Sequence, residues 1–352
     1  MSKYNFSIGH INLSNGFRGG ERQTELLIIH LAKLGVIQKL LCRKGSPLAL
    51  HLKNTENLSI IELTKFIDFR LNGHKELSSC DIIQAHEARA AQWAYLHHLI
   101  YKTPYIIVRR VTEKIRKNFF NKRIYSCASE IVAISTSVKK NINQNFFISS
   151  RLTPDFCAHL VKNNDTVRLL KQKFSDRFVV GHIGALVDAH KGQSTLINAA
   201  RILKNHIPNL LVLFIGDGPD RQKLEFLSKD ISENVSFIGF VENIADYINV
   251  MDVFAFPSNY EGLGSTLLDV MEAGVPSVAS NVDGIPDIAR HMNNSLLIEK
   301  GNFHQLAEAI IRLKENEELR KQIVAEGRKT AETHSPESIA KKYLSLYKSI
   351  LQ

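Results

Sequence analysis

The sequence contains no run of about eighteen apolar residues, the length that a transmembrane helix requires. Its N-terminal residues include one lysine and no long apolar core, so they do not resemble a secretory signal. The four cysteines, Cys42, Cys80, Cys127 and Cys157, lie far apart without paired spacing. That spacing suggests neither a disulfide framework nor a zinc site. These absences predict a cytoplasmic protein with reduced thiols and no bound metal.

The length and composition of the chain indicate its general class. At 352 residues, the chain exceeds the size at which a single hydrophobic core stops growing, so we expect two domains. A hydrophobic share of 44% with 23% charged residues is ordinary for a globular protein.

The net charge of +10 is unevenly distributed. Between Lys102 and Arg123 there are eight basic residues and one acid, Glu113, and the aromatic residues Phe119, Phe120 and Tyr125 are interleaved with them. Such a segment suits an anionic membrane surface, where each basic residue adds about 1 kcal/mol of binding. It also suits nucleic acid, or a solvated basic helix without a partner. We expect the membrane surface and no nucleic acid. The basic residues are Lys102, Arg109, Arg110, Lys114, Arg116, Lys117, Lys122 and Arg123.

Apolar runs alternate with helical patterns along the first half of the chain, which predicts a parallel sheet covered by helices on both faces. The predicted strands are Asn5–His10, Ile37–Cys42, Leu58–Ile61, Asp81–Ala85, Tyr105–Val108 and Ile131–Ile134. The predicted helices are Glu21–Leu34, Ala88–Ile100 and Thr136–Phe146.

Residues 150–175 interrupt this alternation with a turn at Pro154 and a polar cluster, and we predict that they form a linker. The alternation then restarts. The predicted strands are Arg177–Ile183, Leu210–Ile215, Val235–Ile238, Val253–Phe256, Ser277–Ser280 and Leu296–Ile298. The predicted helices are Gly192–His206, Asp220–Ser228, Ile244–Val250, one from Gly264 or Ser265 to Gly274, one starting near Pro286, and a helical tail from Phe303.

These patterns predict an α/β protein with two parallel-sheet domains that face each other. We place the first domain at residues 1–160 and the second at 161–335, with a last helix, 336–352, that packs back on the first. Ligands of such sheets bind at the carboxyl ends of the strands, so we expect the site in a cleft between the domains.

The stretch YEGLGSTLLDVMEAGVP begins at Tyr260 and joins a predicted strand to a predicted helix. The helix begins near Gly264, which leaves the backbone amides of Gly264, Ser265 and Thr266 free. Free amides at a helix N-terminus, together with the helix dipole, form a site for an anion such as phosphate. Because Gly262 and Gly264 lack side chains, a diphosphate can approach the backbone closely.

Two acids flank this helix start. Asp269 lies on the same helical face as Ser265, one turn along, where it can reach a ribose. Glu261 precedes the helix, where a carboxylate can hold sugar hydroxyls or stabilise positive charge on an anomeric carbon. The spacing matches a nucleotide diphosphate-sugar laid across the helix start. A capping acid and an exposed helix acid are the alternative.

Three further turns lie between a strand and a helix. Lys191 ends the segment GALVDAHK and directs a cation at the same strand-end crevice. Gly216-Asp217-Gly218-Pro219 resembles the start of a dinucleotide-binding motif, but Arg221 occupies the position of the third glycine. Gly19 and Gly20 precede the first long helix and allow a substrate to approach the backbone. A loop that merely needs positive φ is the alternative for that pair.

In their order, these motifs resemble the retaining nucleotide-sugar glycosyltransferases of family four, which have the GT-B fold. Over most of residues 178–348, the resemblance rests on GHIGALVDAHKG, NVSFIGFVENIADY, MDVFAFPSNYEGLGSTLLDVMEAGVPSVASNVDGIPDI and SLLIEKGN. The segments GGER, DIIQAHEARA and IVAISTSVKKNI resemble the first domain of that family more loosely. The resemblance implies two Rossmann-like domains and transfer of a sugar from a nucleotide-diphosphate donor.

The resemblance also implies roles for individual residues. Glu261 matches the acid that contacts the donor sugar, and Lys191 matches the lysine that holds the diphosphate. Asp269 matches the acid that contacts the ribose, although the family has the longer glutamate there. The segment Gly239-Phe240-Val241 matches the one whose backbone reads the base. The implied donor site comprises Gly184, Gly239, Phe240, Val241, Gly262, Leu263, Gly264, Ser265, Thr266 and Asp269.

The chain departs from the family at several positions. Ala185 replaces an arginine that often contacts the phosphates, and no Asn-Gly-Val-Asp turn is recognisable near the linker. The family often has a histidine close to the donor sugar where this chain has Arg109 and Arg110. His86 is a stand-in for that catalytic histidine, with a buried structural histidine as the alternative. The acceptor-side candidates are Gly19, Gly20, Arg109 and Arg110.

We therefore predict a retaining glycosyltransferase that uses a nucleotide-diphosphate-sugar, with a UDP-sugar favoured. The predicted acceptor is a hydroxyl of a glycan or lipid-linked molecule in bacterial cell-envelope polysaccharide or lipopolysaccharide synthesis. Lys191 and the helix-start amides neutralise the leaving diphosphate, so we expect no metal and no cofactor. We expect the protein at the inner face of the cytoplasmic membrane.

Three alternatives remain open at this point. A nucleotide-sugar 2-epimerase on the same scaffold would also bind a UDP-sugar. A non-catalytic nucleotide-sugar-binding protein would need only the donor half of the site. A nicotinamide-dependent oxidoreductase needs a complete glycine motif, which Arg221 disrupts.

Overall fold

The computed structural model describes residues 4–64, 69–113, 115–116, 118–146 and 148–352. The chain forms two compact units. Unit 1 comprises Met1–Phe156 and Pro336–Gln352, and unit 2 comprises Cys157–Ser335. We predicted a boundary after residue 160, and the observed division follows Phe156.

Unit 1 contains a seven-stranded parallel sheet with the strand order β3-β2-β1-β4-β5-β6-β7. Its strands are β1 Ser7–Asn12, β2 Ile37–Arg43, β3 Leu58–Leu63, β4 Ile82–Ala85, β5 Tyr105–Arg109, β6 Glu130–Ala133 and β7 Arg151–Leu152. Its first helices are α1 Gly19–Lys33, α2 Pro47–Leu52, α3 His74–Leu77, α4 Ala88–Tyr101, α5 Phe119–Ser126 and α6 Thr136–Phe146.

Unit 2 contains a six-stranded parallel sheet with the order β10-β9-β8-β11-β12-β13. Its strands are β8 Phe178–Ile183, β9 Leu210–Ile215, β10 Val235–Gly239, β11 Val253–Phe256, β12 Ser277–Ser280 and β13 Leu296–Ile298. Its helices are α7 Asn164–Lys173, α8 Asp188–Lys191, α9 Gln193–His206, α10 Arg221–Leu227, α11 Ile244–Ile248, α12 Thr266–Ala273, α13 Phe303–Glu315 and α14 Glu317–Thr333. The last helix, α15 Pro336–Leu351, belongs to unit 1 and packs against α1. The prediction of two Rossmann-like parallel-sheet domains is confirmed.

The sheets are stabilised by burial on both faces. All six residues of β9 are buried, which explains why its sequence is an unbroken apolar run rather than an alternating one. Phe214 of β9 belongs to the same core cluster as Leu196 and Leu203 of α9, so this helix covers one face of the strand. Each such side chain contributes about 1.5–3 kcal/mol when it is fully buried.

Several short elements differ from the prediction. The strand β7 and the helices α2, α3 and α5 were missed, because so few residues show no clear period. The predicted linker at 150–175 contains α7, whose polar start is a cap: the side chain of Asn163 accepts hydrogen bonds from the amides of Asp165 and Thr166. The helix predicted near Pro286 is only a 3-10 turn, Ile285–Asp287.

In each sheet the strand order reverses direction once, between two neighbouring strands, and this switch point is called the gap below. The candidate residues lie on the connections that leave the two strands beside it. The gap lies between β1 and β4 in unit 1 and between β8 and β11 in unit 2. The connections that leave the two strands beside such a gap diverge, and ligands bind in the crevice between them. Lys191 and Glu261 follow β8 and β11, whereas Gly19 and His86 follow β1 and β4.

The structure also bears on two features that the sequence lacks. None of the helices in the described ranges combines the length and the apolar character that a membrane crossing requires. All four cysteines are free, and Cys42, Cys80 and Cys157 are buried.

Buried neutral histidines predict a loss of stability in mild acid. Burial lowers the pKa of His10 and of His182 from 6.5 to about 4. Below pH 6.5 the unfolded chain takes up protons that the folded chain excludes, so the stability is full above this pH and falls as the pH approaches 4. At pH 5 each histidine should cost roughly 2 kcal/mol of unfolding free energy.

Urea unfolding at pH 7 and pH 5 measures this loss while most carboxylates remain ionised. His182→Gln is the matched variant, since the Nδ1 atom of His182 contacts the carbonyl of Ala255 at 3.0 Å and glutamine retains a donor without titrating. The variant should lose less stability between the two pH values than the wild type. Equal stability of the wild type at both values would contradict the prediction.

Candidate active site

An ion pair joins the two loops at the gap in the unit 2 sheet. The Nζ atom of Lys191 lies 2.6 Å from Oε2 of Glu261, and the side chains are 24% and 17% exposed. The Ser258 hydroxyl lies 3.5 Å from the same carboxylate oxygen. Lys191 Nζ also lies 5.5 Å from the ring centroid of Phe256. The structure therefore brings together the cation and the acid that the sequence suggests as catalytic, and it leaves both partly accessible.

Hydrogen bonds between neighbouring loops support this pair. The amide of Asn259 donates to the carbonyl of His190 at 2.8 Å, and Nδ2 of Asn259 donates to the carbonyl of Asp188 at 3.3 Å. The amide of Glu261 donates to Oδ2 of Asp283 at 3.0 Å. Sequence reasoning missed Asn259 and Asp283. Asp283 follows β12, the neighbour of β11 in the sheet, and that adjacency would have indicated it.

The helix of the stretch quoted above begins as predicted. Ser265 is the residue that flanks the start of α12, and its side chain makes no capping hydrogen bond. Within the described part of the chain, the amides of Gly264, Ser265 and Thr266 donate to no backbone carbonyl. These three N–H groups are therefore available to an anion, which the positive end of the helix dipole also attracts.

The second glycine-rich turn has a packing role. Gly216 follows β9, and a Cβ atom added to it would lie 2.2 Å from the carbonyl oxygen of Gly184. A Cβ atom added to Gly218 would lie 2.5 Å from the carbonyl oxygen of Leu186. Only glycine allows the turn after β9 to close on the loop after β8. Close backbone packing thus accounts for this turn without a dinucleotide.

The segment predicted to read the base lies at the carboxyl end of β10. Gly239 is buried, and its carbonyl accepts a hydrogen bond from the amide of Gly216 at 2.8 Å, whereas the next side chain, Phe240, is 79% exposed. Val241 is half-buried. Because β9 separates β10 from β8, this segment lies about 10 Å along the sheet edge from the loop of Gly184. That separation suits a nucleoside whose phosphates lie at the gap between β8 and β11.

Asp269 lies in the first turn of α12 and is 9% exposed. Its Oδ1 atom accepts a hydrogen bond from the amide of Ala158 at 2.8 Å. The contact of Asp269 with a ribose stays a prediction. Gly262 lies in the loop before α12, and Leu263 is only 2% exposed, so Leu263 can offer a ligand its backbone but not its side chain.

In unit 1, His86 belongs to a buried chain of polar side chains. Its Nε2 atom lies 3.0 Å from Nδ1 of His10, and its Nδ1 atom lies 3.5 Å from Nη1 of Arg110. His10 in turn contacts Oε1 of Gln38 at 3.0 Å. Burial, followed by the charges of His10 and Arg110, holds the pKa of His86 well below its usual value. Since both ring nitrogens face other side chains, the geometry favours the structural alternative for His86 over contact with substrate.

The side chain of Arg110 is largely buried, unlike the exposed residues of the basic segment Lys102–Arg123. Its Nε atom lies 3.2 Å from Oδ1 of Asp155, and both side chains are 9% exposed. Its Nη2 atom is buried without a hydrogen-bond partner among the described residues. A Cβ atom added to Gly20, beside Gly19 at the start of α1, would lie 3.9 Å from Arg110 Cδ. Arg109 is half-buried, and its Nη2 donates to a backbone carbonyl at 2.6 Å.

Gly264→Ala is expected to destabilise the start of α12. Gly264 has a φ of +85°, and an added Cβ atom would lie 3.1 Å from Cε1 of Phe256. We expect a loss of about 1–2 kcal/mol of unfolding free energy, measured by urea denaturation. Gly16→Ala is the control, because no atom lies within 4 Å of its added Cβ and its φ is not left-handed. Similar midpoints for the two variants would contradict the geometry described here.

Comparisons with known proteins agree with this arrangement. Residues 165–330 match the family model described as glycosyl transferases group 1. The chain is 30% identical over 240 residues to the capsular polysaccharide biosynthesis glycosyltransferase CapM of Staphylococcus aureus, a match that covers 64% of this chain and 63% of CapM, just under two thirds of that protein. It is 25% identical over 341 residues to the lipopolysaccharide core biosynthesis glycosyltransferase LpsD of Rhizobium meliloti, covering 94% of each protein.

Solved structures share the fold. The Anabaena protein HepE, crystallised with UDP and glucose, superposes with a TM-score of 0.84 at 17% identity, over 98% of this chain and 100% of HepE. Sucrose-phosphate synthase from Thermosynechococcus elongatus superposes with a TM-score of 0.78 at 18% identity, over 98% of this chain and 99% of the synthase. The two parallel-sheet units therefore have the GT-B fold. Residues 165–330, which make up most of unit 2, therefore carry the domain that the group 1 glycosyl transferase model describes.

Proposed function

We propose that this protein transfers a sugar from a nucleotide-diphosphate-sugar to a hydroxyl acceptor, with retention of the anomeric configuration. One observation carries the proposal: the Lys191–Glu261 ion pair lies on the two loops at the gap in the unit 2 sheet, beside the start of α12. One ammonium group and three helix-start amides attract a diphosphate. The adjacent carboxylate of Glu261 can accept hydrogen bonds from the hydroxyls of the donor sugar.

The spacing of the sheet edge supports a nucleoside diphosphate as the leaving group. We assign the base to the segment at Gly239-Phe240-Val241 and the ribose to Asp269. The diphosphate then lies at the gap about 10 Å away, near Lys191 and Gly184. A uridine donor is favoured because the similar protein HepE was crystallised with UDP and with UDP-glucose.

The ion pair suggests how donor binding prepares the site. A diphosphate competes with Glu261 for the ammonium group of Lys191, so binding exchanges one anionic partner for another and releases the carboxylate toward the sugar. The bond between the anomeric carbon and the diphosphate oxygen then breaks, with its electron pair going to the diphosphate. The acceptor oxygen bonds to the anomeric carbon on the same face, and its proton goes to the departing phosphate. Lys191 and the amides stabilise the charge that develops on the diphosphate.

We propose that the acceptor is a cell-envelope glycan or a lipid-linked precursor of one. The support comes from relatives that are named for capsular polysaccharide and lipopolysaccharide core synthesis. In unit 1, the acceptor-side candidates Gly19 and Gly20 follow β1, at the start of α1. Arg109 lies at the end of β5, next to β4 in the sheet.

A basic and apolar patch on unit 1 supports contact with an anionic membrane. Helices α4 and α5 pack together through Tyr95 and Phe120, whose ring centroids are 6.0 Å apart with an edge-on geometry. Phe119 is 76% exposed and Ile100 is 61% exposed. Lys114 and Lys117 lie outside the described residues. The exposed members of the patch are Leu99, Ile100, Tyr101, Lys102, Arg116, Phe119, Phe120, Lys122 and Arg123.

Lys191→Ala and Glu261→Ala should each lower kcat by at least about 100-fold, because each removes a group that contacts the reacting part of the donor. Radiolabelled UDP-, GDP- and ADP-sugars with membrane extract as the acceptor source provide the assay. Lys204→Ala and Glu225→Ala, both at exposed helix positions of unit 2, are the controls. Unchanged melting temperatures would show that the variants are folded. Rates like those of the wild type in both site variants would discard the assignment.

The same assay separates transfer from the alternatives. A transferase consumes the donor in proportion to added acceptor and places the label on it. An isomerase converts the donor without an acceptor, and a binding protein retains the donor unchanged. Either of these last two results would overturn the proposed function.

Binding to lipid vesicles tests the membrane proposal. At low salt the protein should sediment with phosphatidylglycerol vesicles but not with phosphatidylcholine vesicles, and added salt should weaken the binding by screening. Phe119→Ser should reduce binding several-fold. Phe226→Ser is the matched control, because Phe226 is 80% exposed but lies in unit 2. Equal binding to both lipids, or none to phosphatidylglycerol at low salt, would remove this part of the proposal.

A further inference from the structure

Three side chains with different donor atoms converge near the C-terminal end of α12. Sγ of Cys157, a ring nitrogen of His159 and a carboxylate oxygen of Glu272 all lie within 4.8 Å of one another. His159 Nδ1 and Glu272 Oε1 are in direct contact. Cys157 is buried, whereas the side chains of His159 and Glu272 are 50% and 31% exposed. The cluster therefore has one buried anchor and two sides that face solvent.

The backbone holds this cluster in place. The amide of Cys157 donates to the carbonyl of His334 at 2.9 Å, and the amide of Ala158 donates to Oδ1 of Asp269 at 2.8 Å. Asp269 and Glu272 are three residues apart on α12, so they lie on the same face of the helix. These hydrogen bonds hold the backbone of residues 157 and 158, so Cys157 and His159 lie beside the face of α12 that carries Glu272.

We propose that Cys157, His159 and Glu272 bind one Zn²⁺ ion, with a water molecule as the fourth ligand. Thiolate, imidazole and carboxylate are the three kinds of protein ligand that zinc takes, and a mixed set of this kind suits zinc better than magnesium or calcium. When the ion binds, the thiol of Cys157 loses its proton, and bonds to the metal replace the hydrogen bond between His159 and Glu272.

The surroundings of the cluster are open to an ion. A cavity of about 340 Å³ adjoins it, lined by His159, Asp269 and Glu272 among others. Lys162 also lines this cavity, and its Nζ atom is held by Oδ1 of Asn249 at 3.0 Å. With the carboxylate of Asp269 next to the thiol, the cluster is rich in negative charge. A divalent cation would offset this charge.

The proposed ion would fasten residues 157–159 to the helix whose other end binds the donor in the proposed function. Glu272 lies six positions after Thr266, which corresponds to about 9 Å along the helix. The ion would therefore stabilise the helix from its far end and would not contact the diphosphate. This site does not rest on the proposed sugar transfer.

Tag-free full-length protein stripped with a chelator provides the test. Zn²⁺ alone should bind with a stoichiometry of one per chain in competition with a chromophoric chelator. Co²⁺ should give a thiolate-to-cobalt charge-transfer absorption. Cys157→Ser should abolish that absorption and weaken zinc binding by at least about tenfold, whereas Cys127→Ser in unit 1 should leave both unchanged. His159→Gln, at a half-exposed position, should weaken binding by a similar factor without a folding defect.

A melting-temperature measurement adds a second test of zinc binding. Zinc should also raise the melting temperature of the wild type more than that of the His159→Gln variant, because the folded state alone presents the three ligands. The proposal is overturned if the stripped wild type binds no zinc at micromolar concentration, or if Cys157→Ser and His159→Gln bind it as tightly as the wild type. Neither result depends on a transferase assay, so failure here is separate from failure of the proposed function.

Discussion

The electrostatic contact between Lys191 and Glu261 is the interaction on which the proposed donor site depends. At 2.6 Å the two charges neutralise each other, and their partial exposure means that the pair adds about 1 kcal/mol or less to stability. Because the pair contributes so little to the free energy of folding, Lys191 can exchange Glu261 for a ligand anion with little loss of stability. Neighbouring loops hold both residues through Asn259 and Asp283, so the charges remain in position when their partners change.

The strand order reverses once in each sheet, but the side chains beside the reversal differ between the two units. In unit 2, the gap between β8 and β11 is flanked by accessible charges and by helix-start amides. In unit 1, the gap between β1 and β4 is flanked by His86, which is buried with His10 and Arg110. The contacts of His86 with His10 and Arg110 make this buried chain rigid, although Nη2 of Arg110 has no hydrogen-bond partner among the described residues. The acceptor-side candidates that remain in unit 1 are the backbone near Gly19 and Gly20, and Arg109.

Helix α12 links several parts of unit 2. The amides at its start form the proposed anion site. Asp269 in its first turn accepts a hydrogen bond from the amide of Ala158, and Glu272 near its end belongs to the proposed zinc-ligand cluster. The predicted linker is in fact an organised segment, in which residues 157–159 lie against this helix and α7 follows with Asn163 as its cap.

The sequence by itself determined the architecture and indicated Lys191 and Glu261 as charges at one strand-end crevice, where the structure brings them into contact. Both follow from local information: long apolar runs between helical patterns indicate buried parallel strands, and Gly264 before an apolar helix indicates free amides. Local patterns could not reveal that Arg110 is buried, since basic residues in a run suggest a surface until the fold supplies Asp155 as a partner. They could not reveal Asp283 or the cluster of Cys157, His159 and Glu272 either. Those residues meet only because the order of strands in the sheet and the path of the chain across α12 bring distant segments together, and spacing along the chain carries no record of that.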